Sequence, residues 1–250
     1  MTFKNDAHSI SEALGNKKII TNDECDSCNA QFGAGIEHEL VQYLDLYRNF
    51  FQVRGKTGVP KLKGKNYEIK HDDKLNISHF LSEEEDNDPD RDSFNLRLES
   101  HESIALQSIY KALVKYALGV MPADQLERFR ETIDWINGMK SINELPKVAI
   151  LTSYHLFVEH PKLVLSIRKS EDQTLPYAVA EFRFTFLAFV FIIPFSSKDS
   201  LNFNKPEDFN HYWQSFNHYS AQDGWNFKNM SDQVKRPFVM KLKFEVSEQE

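Results

Sequence analysis

His8, Asn22, Cys25, Cys28 and Asn29 crowd into one short stretch around a Gly15-Asn16 turn. Their side chains could perform one coherent chemistry. An imidazole titrates near neutral pH and can take a proton from water, so His8 is the candidate general base. Mg²⁺ and Mn²⁺ take oxygen ligands, and Mg²⁺ keeps several of its waters; Asn29 offers such an oxygen. Asn22 is suited to bridging backbone groups of the loop that holds His8. Cys25 and Cys28 have the spacing of a zinc knuckle and could pin the turn leading into a helix. A base beside a divalent cation is what hydrolysis of a phosphodiester needs. Plainer roles stand beside these: a surface or hydrogen-bonded histidine for His8, a helix N-cap for Asn29, and buried or redox thiols for the cysteines.

The order Ala7-His8, Ile10, Glu12, Leu14-Gly15-Asn16, then Asn22, Cys25, Cys28-Asn29, Phe32-Gly33 and Ile36-Glu37 resembles the HNH endonuclease family. The branch in question reads roughly E/A-H-x-I-P-E-x-L-G-G/N, then N-x-x-C-x-x-C-N. The basic Arg54-Gly55-Lys56 and Pro60 resemble the segment after the helix in that branch, so the likeness covers residues 6–60. It implies a ββα-metal fold, with His8 as base at the end of the first strand and Asn22 as the central Asn. It implies Asn29 as ligand to a catalytic Mg²⁺ or Mn²⁺, and DNA as substrate. Two departures matter. The residue before the base is commonly a metal-ligating acid; here it is Ala7, and Asp6, one step back, shares the strand face of His8 and is a second candidate ligand. The family's C-x-x-C is usually joined by another pair upstream; none of the seven residues before His8 is Cys, so Cys25 and Cys28 give half a Zn²⁺ site, which a homodimer could complete. The alternative is a catalytically degenerate HNH-like module serving nucleic-acid binding or protein interaction.

The net charge of −7 gives no global attraction to nucleic acid, so contact must come from a local patch. Arg48, Arg54 and Lys56 lead that patch, joined by Lys61, Lys63 and Lys65. Two cysteines in one C-x-x-C point to metal or redox chemistry in a reducing compartment rather than to a disulfide framework. The N-terminus is polar and the longest apolar run, 187–194, is far short of a membrane span. A cytoplasmic protein is expected.

Elements must hold these residues. Ile36, Leu40, Tyr43, Leu44, Tyr47 and Phe51 recur at helical spacing, which predicts a helix over 36–52, stopped by Gly55, Gly58 and Pro60. Short strands are expected at 61–63 and 67–70. The acidic stretch 81–92 reads as a linker or loop. Beyond it come a strand at 93–98 and helices near 104–120 and 122–137. Strands are expected at 148–151, 154–159, 163–168, 177–186 and 188–194, then a helix at 208–219 and a strand at 239–246. Period-two alternation in Glu181-Phe182-Arg183-Phe184-Thr185-Phe186 gives one polar and one aromatic face. The expectation is an α+β fold: an HNH-like module in 1–80, the acidic segment, and an antiparallel-sheet domain with covering helices in 93–250. That larger domain could bind an unidentified partner or ligand. His211 and His218 lie two helical turns apart, too far for one metal.

Overall fold

The computed structural model describes residues 2, 7–21, 24–71, 74–80, 93–215 and 224–245. Asp6, Asn22 and the acidic segment expected as a boundary lie outside these. The fold is α+β. Strands β1 (Ala7–His8) and β2 (Ile20–Thr21) pair antiparallel, His8 opposite Ile20, and a 3₁₀ turn at Glu12–Leu14 sits in the loop between them. Two consecutive helices come next, α1 (Asp26–Ala34) and α2 (Ile36–Phe50). Periodicity locates α2; α1 has too little amphipathicity to stand out. Strands β3 (Leu62–Lys63), β4 (Tyr67–His71) and β5 (Leu75–His79) form a small antiparallel sheet.

Strand β6 (Ser93–Ile104) runs further than its sequence signal and leads into α3 (Leu106–Leu118). The helix expected over 122–137 breaks into α4 (Ala123–Leu126), a 3₁₀ turn and α5 (Arg130–Ile136). Next come β7 (Val148–Thr152), β8 (Val158–Ile167), β9 (Ala178–Thr185) and β10 (Leu187–Ile192). The strand expected at 154–159 is a 3₁₀ turn, Tyr154–Leu156, running into β8. Helix α6 (Pro206–Ser215), β11 (Asn226–Lys228) and β12 (Arg236–Glu245) follow among the described residues. Five strands make the main antiparallel sheet in the order β11-β7-β10-β9-β8, and β12 pairs with β6.

Alternation along β9 and β10 decides what each face of this sheet meets. Phe182, Phe184, Leu187, Phe189 and Phe191 turn toward α3, whose Tyr110 and Tyr116 pack against Phe191 and Phe182. Val179, Val190 and Ile192 turn the other way, onto Phe209 and Tyr212 of α6. The sheet is therefore buried on both faces. Ile10, Leu14, Leu40 and Leu44 belong to the same hydrophobic cluster as Ile109, Leu113, Phe182 and Phe189, so residues on both sides of the acidic segment share one core. Leu46, on another side of α2, packs with Leu62, Ile69 and Leu98. At the end of β9, Thr185 is held at φ 52, a left-handed conformation rare for a β-branched residue, while Phe186, between β9 and β10, is packed edge-on against Tyr47 and Phe51.

Phe189 is fully buried where α2, α3 and the sheet meet. Phe189→Ala should therefore cost about 3–5 kcal/mol, read as a lower midpoint of chemical denaturation.

Candidate functional site

The loop between β1 and β2 must place His8, and one buried side chain closes it. Asn16 Nδ2 donates to Ile10 O at 2.7 Å and to Ile19 O at 2.9 Å. Its Oδ1 accepts from Lys18 N at 3.2 Å and Ile19 N at 2.9 Å. Asn16 thus bridges backbone groups of the loop that holds His8; Asn22, for which such bridging is expected, lies outside the described residues. Gly15, at φ +82, makes the left-handed turn that delivers Asn16. Gly15-Asn16 was legible as a turn; that the Asn side chain also ties both arms of the loop was not.

The loop is anchored to α3. Ser9 Oγ donates to Gly119 O at 3.1 Å, and Lys115 Nζ donates to His8 O at 3.3 Å. The same ammonium lies 2.8 Å from Glu24 Oε2 and 2.6 Å from Glu37 Oε1, with all three side chains at least nine-tenths buried. Phe32 of α1 lays its ring 5.8 Å from that nitrogen. One lysine therefore meets the His8 strand, the residue before the C-x-x-C, α1 and α2. Burial pushes the Glu37 carboxyl up from its ordinary range, and Lys115 pulls it partly back, helped by nearby His8. Sequence reasoning did not identify Lys115 or Glu24, and took Glu37 only as part of the family pattern.

Cys25, not Asn29, caps α1: its Sγ accepts from Cys28 N at 3.4 Å. Asn29 sits in the first turn, partly exposed, with its own N–H on Cys25 O at 2.9 Å. The two sulfurs lie 3.1 Å apart. The Ser27 hydroxyl, then the Cys28 thiol and N–H, hold Cys25 down to about 7, whereas Cys28 is pushed up by its hydrogen bond with Cys25. Beside them opens a cavity of about 220 Å³, lined by Glu24, Cys28, Phe32 and Lys115 and walled by Leu118, Leu126, Ile133 and Ile136.

The donors suit the two implied metals differently. Mg²⁺ is bound through few protein oxygens and much water, and the partly exposed Asn29 fits that demand. A structural zinc needs four ligands. Among the described residues no group of three or more His, Cys, Asp or Glu could hold a metal ion, so Cys25 and Cys28 alone do not fit a structural zinc. Ala7, at the position where the resemblance leads one to expect a metal-ligating acid in many members, is buried.

The expected basic patch divides. Arg48 is buried and its guanidinium is paired with Asp45 one helical turn earlier, so it cannot serve as a phosphate contact. Its place on α2 turns it inward, which its position in a run of cations conceals. Arg54, Lys56, Lys61 and Lys63 are exposed; Lys65, also exposed, pairs with Glu99.

Two substitutions test this construction. Asn16→Ala should cost about 2–4 kcal/mol, from four hydrogen bonds at about 0.5–1 kcal/mol each, and speed amide exchange at Lys18 and Ile19. Lys115→Met should cost about 3–5 kcal/mol at neutral pH, because two carboxylates remain buried without their cation. Glu37 binds its proton more readily folded than unfolded, so its contribution to stability is full below the unfolded pKa and lost as pH rises through the folded one. Removing Lys115 widens that gap, and melting temperatures of variant and wild type should converge as the pH is lowered. No family model, curated protein or solved structure matches this chain.

Proposed function

We propose that this protein is a metal-dependent endonuclease of the HNH type that hydrolyses phosphodiester bonds, with DNA as substrate. The observation that carries this reading is the fixing of His8. Its strand is tied through Asn16 across the loop and through Lys115 and Ser9 to α3, while His8 itself remains partly exposed. A rigid backbone behind an accessible imidazole is what a general base requires, because proton transfer depends on position before it depends on pKa. The succession of β1, β2 and α1, with Asn29 in the first turn of the helix, agrees with the resemblance in sequence.

In this reading His8 takes the proton from the attacking water. Asn29, with Asp6 as a second candidate, would hold Mg²⁺ or Mn²⁺, which when bound supplies positive charge at the phosphate. Arg54 and Lys56 receive flanking phosphates. The buried Ala7 favours a second reading, a module that has lost a metal ligand and only binds nucleic acid.

Nicking of supercoiled plasmid separates the two. The first reading expects cleavage with Mg²⁺ or Mn²⁺ that EDTA stops and that His8→Ala lowers by about 10²–10⁴-fold, with an unchanged melting temperature. Equal cleavage by wild type and His8→Ala removes His8 as the base. DNA binding without cleavage supports the second reading.

A further inference from the structure

Three segments distant in sequence converge beside the His8 loop. Residues Gly15–Ile19 of that loop face His160 and Pro161 of β8 across a cleft of about 140 Å³. The loop after α2 packs on the same segment: a Cβ on Gly15 would lie 3.0 Å from Val53 Cγ1, and one on Gly55 would lie 3.1 Å from Ala13 Cα. Phe51, just before this second loop, has its ring 6.0 Å from that of Phe157, just before β8. Phe51 is also packed edge-on against Phe186 at 4.7 Å, so Phe157 rests on an aromatic base while remaining 54% exposed.

On the segments that meet here cations outnumber acids. Lys17 and Lys18 from the first loop, Arg54 and Lys56 from the second and Lys162 from β8 are exposed, and His160 stands among them. Among the described residues of these three segments the acids are Glu159, exposed on β8, and the half-buried Glu12. A local excess of cations in a chain of net charge −7 selects a polyanion, and a supported, solvent-facing ring adds a demand for flat apolar groups. Single-stranded nucleic acid meets both demands, since its phosphates track along cations and its unpaired bases stack on aromatic faces. In a duplex the bases are already stacked on one another and cannot cover Phe157.

We propose that Phe157, Lys17, Lys18, Arg54, Lys56 and Lys162 form a binding surface for single-stranded nucleic acid, with a base stacked on Phe157 and phosphates on the surrounding cations. This goes beyond the nuclease reading, because it assigns a role to β8 and requires no catalysis.

Fluorescence anisotropy of the full chain with labelled oligothymidylate, in EDTA over a series of KCl concentrations, tests the surface. Phe157→Ala should weaken binding about 5–150-fold, Phe157→Tyr should retain it, and both should remain folded at the assay temperature. Lys17→Ala with Lys18→Ala should flatten the plot of log affinity against log salt by about 0.7 for each phosphate left without its cation. A duplex of equal length should bind more weakly than the single strand. Unchanged affinity in Phe157→Ala, or a duplex bound as tightly as the single strand, would overturn the proposal. Because EDTA suppresses cleavage, failure here is independent of plasmid nicking: a protein that nicks but ignores Phe157→Ala loses only this surface, and one that binds as described but never nicks loses only the nuclease reading.

Discussion

The buried ammonium of Lys115 is the constraint on which the arrangement around His8 depends. A charge removed from water is costly unless its whole coordination is replaced. Here the replacement comes from Glu24, Glu37 and the His8 carbonyl, three groups on separate segments. Each segment is held because the lysine needs it. The lysine in turn is placed by α3, and α3 is placed by Tyr110 and Tyr116 against the aromatic face of the main sheet. The position of His8 is thus transmitted from a sheet whose strands begin some 140 residues later in the chain. One core, common to both sides of the acidic segment, is the packing counterpart of that dependence.

Two carboxylates share one ammonium, so the cluster beneath His8 carries an excess of negative charge whenever both are ionised. Burial offsets this by favouring the protonated form of Glu37. The cluster is also next to the cysteines: Glu24 immediately precedes Cys25, and Cys28 lines the same cavity as Glu24 and Lys115. Cys25 acts here as a helix cap. Its sulfur takes the role of the usual hydroxyl or carboxylate, and Ser27 and Cys28 hold it toward the thiolate form. Cys25 of the C-x-x-C therefore has a capping function at the start of α1.

The β9–β10 turn shows a different kind of constraint. Thr185 sits in a left-handed conformation that costs of order 1–3 kcal/mol. Phe186 is held edge-on by Tyr47 and Phe51, and this aromatic packing fixes the turn. The same group of rings carries Phe157 outward on its far side. Local strain and an exposed aromatic thus belong to one packed unit, which lies where α2 ends and the basic loop begins.

The sequence by itself determined the periodic elements. Helix α2 comes from Leu40, Leu44 and Tyr47 at helical spacing, and β9 from the alternation of Phe182 and Phe184, on the aromatic face that meets α3, with Glu181 and Arg183 on the other face. It also located His8, the C-x-x-C and the Gly15-Asn16 turn, since those side chains are rare in combination. Tertiary structure alone decided what they touch. Asn16 closes the loop and Cys25 takes the cap because hydrogen-bond partners are chosen by proximity after folding, and both are invisible to spacing. Arg48 lies in a run of cations, yet α2 turns it inward onto Asp45. Lys115 carries no motif; only the docking of α3 against the His8 strand makes it the residue that holds the site together, because a buried charge acquires its meaning from the groups folded around it.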